Sequence, residues 1–192
     1  MDKAQLRRHF LHQRQQLSPQ QWQQKSQQLC EQLRQWELFQ QAKTVCAYFS
    51  TQQEVDLSTL FTLPKIWGFP RCVQKNLIWS TWQLGDSLIP DKYGILTPPS
   101  TAPRLEPHRV DLILVPTVAG DRQGYRLGYG GGYYDRLFAQ KEWQTIPRVG
   151  IVFATAIAEQ LPHDPWDLPL SGFCSENGYF LLTNWDKKIP QH

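Results

Sequence analysis

The stretch VDLILVP, residues 110–116, is apolar at every position except Asp111 and closes on a proline. A strand packed on one face alternates apolar with polar residues, whereas one covered on both faces is apolar throughout. This run therefore predicts a central strand with packed layers on both sides of its sheet.

Moving outward, the pattern repeats. Toward the C-terminus come a loop and helix over 119–140, a strand RVGIVF at 148–153, a helical segment TAIAEQL at 155–161 and a last strand GYFLLT at 178–183. Toward the N-terminus lie a proline-rich surface connection over 84–109, strands at 65–73 and 76–83, and a short helix after Asp56, which caps it. A buried strand TVCAYFS occupies 44–50. Leu6, Phe10 and Leu17 share one face of an amphipathic helix over 2–17. Ser18, Pro19 and Gln21 form the start signal of a second helix, which carries Trp22, Leu29, Leu33 and Trp36 and runs to about residue 41. Alternating strands and helices predict a three-layer α/β/α sandwich with a mainly parallel, Rossmann-like central sheet. The whole chain, 1–192, reads as one domain whose N-terminal helical pair, 1–41, packs on the α/β core.

Composition narrows the function. Hydrophobic residues are 41% and charged residues 19%, as in a folded globular protein. Twenty Lys and Arg against 17 Asp and Glu leave +3, too little for wholesale nucleic-acid wrapping, so any anion site is local. Four scattered cysteines without a C-x-x-C pair or a secretory signal read as reduced thiols of a cytoplasmic protein. No apolar run reaches the ~20 residues of a membrane helix, and the histidines at 9, 12, 108, 163 and 192 have no metal spacing and read as surface groups.

The stretch RLGYGGGYYDR, residues 126–136, holds four glycines, three tyrosines, two arginines and an aspartate. Glycines let a ligand approach the backbone, and successive amides ahead of a helix start make an anion nest. Neither the Walker nor the dinucleotide fingerprint fits, because position 133 is tyrosine and no G-K-[ST] follows. A tight connector between strand and helix is the competing reading. Lys3, Arg7 and Arg14 fall within about 40° of one another on the first helix, as either a solvated face or a basic ridge bordering whatever the helix packs against. Asp135, Asp164 and Asp167 are carboxylates suited to Mg²⁺ or simply solvated. Tyr48, Phe49, Glu54 and Asp56 lie at a strand end, where α/β sheets bind ligands. Trp82 and Tyr93 are further candidates for an aromatic wall.

Together, DLILVPTVAGDRQGYRLGYGGGYYDR, the Lys3 to Arg7 spacing, YFSTQQEVD, WQLGDSL with YGIL, and WDLPL resemble the 5-formyltetrahydrofolate cyclo-ligase family in order and over almost the whole chain. The resemblance implies an ATP- and Mg²⁺-dependent ligase that converts 5-formyltetrahydrofolate, with or without a polyglutamate tail, to 5,10-methenyltetrahydrofolate. It implies that ATP is held by Lys3, Arg7, Arg126, Leu127, Gly128, Gly130, Gly131, Gly132, Tyr133 and Tyr134. Folate would meet Phe49, Glu54, Tyr93 and the stretch from Tyr129 through Gly130, Gly131 and Gly132 to Tyr133. Mg²⁺ would sit on Asp135 and Asp167, with Asp164 as an alternative register, and Arg126, Tyr133 and Asp135 would serve catalysis. Thr97 stands where the family commonly has glutamate, and Ser171 where it often has a second acid. A monomer without nucleic-acid or membrane partners is expected. Another ATP-dependent ligase or kinase on the same sheet, or an RNA-binding module stacking bases on Tyr129, Tyr133 and Tyr134, are the alternatives.

Overall fold

The structure, a computed structural model, describes residues 1–182. Three helices come first, α1 (Lys3–Gln15), α2 (Pro19–Gln35) and α3 (Glu37–Gln41), followed by strands β1 (Thr44–Cys46), β2 (Ile66–Val73), β3 (Asn76–Trp82), β4 (Ile89–Pro90) and β5 (Leu96–Thr97). The second half contains β6 (Leu112–Pro116), β7 (Ala119–Asp121), β8 (Arg126–Leu127), α4 (Tyr133–Ala139), β9 (Arg148–Ile151), β10 (Ile157–Ala158), β11 (Gly172–Ser175) and β12 (Gly178–Leu181).

Seven strands form the main sheet in the order β12-β11-β9-β6-β1-β2-β3. The inner pairings, β11 with β9, β9 with β6, β6 with β1 and β1 with β2, are all parallel. Both outer strands are antiparallel hairpin partners. Leu112 through Val115 are each fully buried, as the apolar run requires. Successive residues feed opposite faces. Val45, Leu112, Leu114, Val149 and Ile151 join Leu29, Leu33 and Phe39 of α2 and α3 in one core. Cys46, Ile113, Val115 and Phe173 join Phe10 of α1 and Leu137 and Phe138 of α4 in the other. This partition is the three-layer arrangement. Each fully buried Leu or Phe contributes about 1.5–3 kcal/mol, so neither face is optional.

Asp2 and Ser18 each make a capping box, accepting from the Gln5 and Gln21 amides respectively. The second helix is shorter than its periodicity predicts. It stops at Gln35 because Trp36 turns to extended backbone (ψ 120°). The Trp36 indole is then buried and stacks on Tyr179 of β12 at 4.3 Å and 14°. Only a short second helical piece, α3, follows.

Other segments also depart from expectation. Residues 155–161 are not helical beyond a 3-10 turn at Ala154–Ala156; Ile157 and Ala158 instead pair in parallel with β7. The loop after β6 contains the β7–β8 hairpin, and the proline-rich connection holds the β4–β5 ladder. Strand β11, four residues set behind Pro169, carries no readable period in the sequence. Its register is enforced by close contact, since a β-carbon on Gly172 would lie 2.0 Å from the Phe180 carbonyl oxygen. Gly172→Ala is expected to cost about 3 kcal/mol, the upper end of overpacking penalties, read as a lower urea midpoint at unchanged m-value. Thr183 and His192 lie outside the described residues; His9, His12, His108 and His163 are exposed, as expected.

Candidate active site

The parallel strands end on one side of the sheet, and there the chain after β1, the β8 hairpin and α4 enclose a cavity of about 980 Å³. Every ATP, folate and metal residue that the family resemblance implies lines it: Lys3 and Arg7 from α1, Phe49 and Glu54 after β1, Tyr93 from the long connection, the run Arg126–Asp135 and Asp167; Arg14, Asp56 and Trp82 do not. The volume lies near the top of the ~300–1,000 Å³ range for small-molecule sites.

The glycine loop is built from both ends. Gly130 (φ 92°) and Gly132 (φ 63°) occupy left-handed backbone that a side chain would strain. Arg7 crosses from α1 and donates from Nε to the Gly128 carbonyl at 2.6 Å. On the far side Arg136 donates to the Gly131 carbonyl (2.8 Å) and to the Lys75 carbonyl (2.6 Å) at the β2–β3 turn. Leu127 is buried in the core, so only its backbone faces a ligand.

At one end of the cavity charges converge. Lys3 Nζ contacts both Asp164 (2.6 Å) and Asp167. Partial burial works against the Lys3 ammonium, but the hydrogen bonds and charges of the two aspartates outweigh it and raise its pKa. For Asp167 burial opposes ionisation, yet Lys3, the Asp164 amide and the Arg126 charge hold its pKa below the usual range. Arg126 Nη2 donates to Asp135 Oδ1 at 3.0 Å, and Nη1 to the Leu168 carbonyl at 3.3 Å. Among the described residues no three of His, Cys, Asp and Glu gather into a metal cluster. A Mg²⁺ ion often takes only one or two protein carboxylates and completes its shell with phosphate and water oxygens, so Asp135 and Asp167 on one cavity fit it. Ser171, by contrast, is fully buried and accepts from the Arg148 amide at 2.8 Å, a strand-joining role away from the cavity.

The other end is aromatic. Phe49 lines the cavity and stacks on Phe69 at 4.0 Å and 9°. Trp82, a candidate wall, is instead core: it is buried and packs edge-on against Phe49 and Phe69. Glu54 is buried, only 5% exposed. Gln52 and Gln53, just before it, take consecutive left-handed conformations (φ 47° and 57°), a strained turn. Its Oε2 accepts from the Thr51 amide at 3.0 Å, and its carbonyl accepts from Trp22 Nε1 at 2.7 Å. Burial pushes the Glu54 pKa up, against the lowering pull of Thr51, Tyr129 and Arg14. Tyr93 Oη sits 3.1 Å from Tyr133 Oη, so two elements far apart in sequence meet over the cavity. Thr97 is almost wholly buried beneath, its Oγ1 3.4 Å from the Ile89 carbonyl.

Two further residues, Trp166 and Thr51, line the cavity. Trp166 lines the cavity at 67% exposure; its signal was its place between Asp164 and Asp167. Thr51 carried none.

A sequence model described as the 5-formyltetrahydrofolate cyclo-ligase family matches residues 1–176. The chain belongs to that family. Among its relatives, the Escherichia coli K12 5-formyltetrahydrofolate cyclo-ligase is 28% identical over 164 residues, covering 80% of this chain and 89% of that protein. The Haemophilus influenzae enzyme of the same name is 28% identical over 141 residues, or 68% and 74% of the two chains. The NMR structure of Aquifex aeolicus 5,10-methenyltetrahydrofolate synthetase superposes with TM-score 0.84 at 33% identity, covering 95% and 94%. As a cyclo-ligase family member the chain is an enzyme, a ligase of folate one-carbon chemistry. No helix among the described residues is long and apolar enough to cross a membrane.

Proposed function

We propose that this cyclo-ligase uses ATP and Mg²⁺ to close 5-formyltetrahydrofolate into 5,10-methenyltetrahydrofolate, releasing ADP and phosphate. The observation that carries the reading is the polarity of one cavity. Lys3, Arg7, Arg126 and three aspartates, Asp135, Asp164 and Asp167, line it together with Phe49, Glu54, the tyrosines and the glycine loop.

The chemistry explains the parts. A formamide carbon is a weak electrophile because nitrogen donates into its carbonyl, and its oxygen is a poor leaving group. Transfer of the γ-phosphoryl group to the formyl oxygen breaks the bond to ADP and makes an iminium-like carbon. The N10 lone pair then attacks that carbon, the N10 proton departs, and the carbon–oxygen bond breaks to release phosphate. Ring closure is intramolecular, so orientation supplies much of the acceleration; effective molarities reach ~10⁵ M and above. No protein nucleophile is needed.

In this reading Lys3, Arg7 and Arg126 neutralise the triphosphate, and the glycine loop lets phosphate oxygens approach its amides. Asp135 and Asp167 would hold Mg²⁺, which when bound offsets charge on the transferring phosphoryl group. Glu54 accepts hydrogen bonds from pterin nitrogens, while Phe49 and Tyr129 flank the ring. Tyr93 and Tyr133 close the mouth against water. The reading extends to residues 1–192 as one monomeric domain in the cytoplasm, where the four unpaired thiols stay reduced.

The test mixes purified protein with 5-formyltetrahydrofolate and follows the ultraviolet absorbance of the methenyl product. Product is expected only with ATP and Mg²⁺ together. Turnover without ATP, or none with it, would overturn the proposal.

A further inference from the structure

Arg14 is the third member of the basic ridge on α1, and its place differs from that of the other two. It belongs to the last turn of the helix and is 8% exposed. Its Nη2 donates to the Tyr129 hydroxyl, and its guanidinium carbon lies 5.7 Å from the Tyr129 ring centroid. Its Nε is buried without a hydrogen-bond partner. Burying a guanidinium costs several kcal/mol, more than one neutral hydrogen bond returns. An aliphatic side chain here would pack with Phe10 and Leu17, which border the same small cavity. Stability alone therefore does not account for an arginine at this position.

What the guanidinium faces does. Tyr129 stands between Arg14 and Glu54 and interacts with both. We infer that Arg14 is a positioning residue for the folate end of the site: it fixes the Tyr129 ring beside the buried Glu54 carboxylate, so that both are held in place for the pterin. This rests on the folate reading proposed above and names a residue that the ATP and folate assignments leave out. Groups that interact with Glu54 include Arg14 from α1, Tyr129 from the glycine loop, Tyr48 from the end of β1, Tyr134 from α4 and Thr51 from its own turn. Arg14 brings the positive charge, which acts against the burial that raises the Glu54 pKa. Removing it should raise that pKa further.

The test compares Arg14→Met, Arg14→Lys, Tyr129→Phe and the Arg14→Met/Tyr129→Phe double variant with the wild type. Arg14→Met is expected to raise KM for 5-formyltetrahydrofolate roughly 10- to 100-fold, the range for a hydrogen bond to a charged group, with KM for ATP unchanged. The acid limb of kcat/KM for the folate should move to higher pH. Arg14→Lys should restore the acid limb but not the full affinity, because an ammonium keeps the charge and loses the planar fork. The double variant should fall short of the sum of the single effects, since both act on one contact. A purely structural role would lower the thermal midpoint and leave folate KM and the acid limb alone. Folded Arg14→Met or Arg14→Lys protein with wild-type folate KM and pH profile would overturn the inference. If the wild type itself does not turn over the folate, the functional reading fails instead.

Discussion

Asp135→Asn is expected to lower ATP-driven turnover by at least about a hundredfold, the upper end of what is lost when even an outer partner of a metal site is removed. The residue sits at the first turn of α4, in hydrogen-bond contact with Arg126, whose side chain is only 6% exposed. Asparagine keeps an acceptor for that guanidinium but removes the charge. Folding should suffer less than the roughly 3–5 kcal/mol of a buried charge left without a partner, because Asp135 is itself 25% exposed. Two roles then separate on a Mg²⁺ titration. If Asp135 holds the ion, raising Mg²⁺ should recover part of the lost rate. If it only orients Arg126, the defect should be the same at every Mg²⁺ concentration. Full activity would remove Asp135 from the site.

Glu54→Gln should weaken 5-formyltetrahydrofolate binding about ten- to a hundredfold, as expected when a charge-assisted acceptor becomes neutral, and stabilise the unliganded protein at neutral pH. The second half follows from the direction of its pKa. Burial raises the folded-state value above that of the unfolded chain, so between the two values the native state binds more protons. Stability then falls as pH rises through that window, and above it the ionised carboxylate is a standing cost. Glutamine removes that cost and retains an oxygen for the Thr51 amide. Titration calorimetry with 5-formyltetrahydrofolate and thermal unfolding between pH 5 and 8 would check both halves. Unchanged affinity would take Glu54 out of the folate contact. A variant whose thermal midpoint falls at neutral pH would mean that the ionised carboxylate contributes net stability through Thr51 and Arg14.

The fold was readable where burial leaves a one-dimensional trace. VDLILVP is apolar because β6 has packed layers on both faces, and Ser18, Pro19 and Gln21 start α2 through purely local hydrogen bonds. Elements set by remote partners were not readable. Trp36 ends α2 because its indole stacks on Tyr179, a residue on the opposite edge strand. Residues 155–161 have helical spacing, yet Ile157 and Ala158 complete a small sheet with β7. Strand β11 is too short, and too close to prolines, to show a period.

The site divides in the same way. The residue types of the glycine loop, the Lys3 to Arg7 spacing and the acidic DPWD segment are written in the chain. Sequence alone determined the chemistry on offer: cations, backbone amides, carboxylates and aromatic rings. Only the tertiary structure decided which of these face one another. Lys3 meets Asp164 and Asp167, Arg14 meets Tyr129, and Tyr93 meets Tyr133. The solvated face that helical spacing leaves open for Arg14 is excluded by its burial. The reason is physical: helical period and capping are set by near neighbours along the chain, whereas burial of a charge and the company it keeps depend on segments that only the folded sheet brings together.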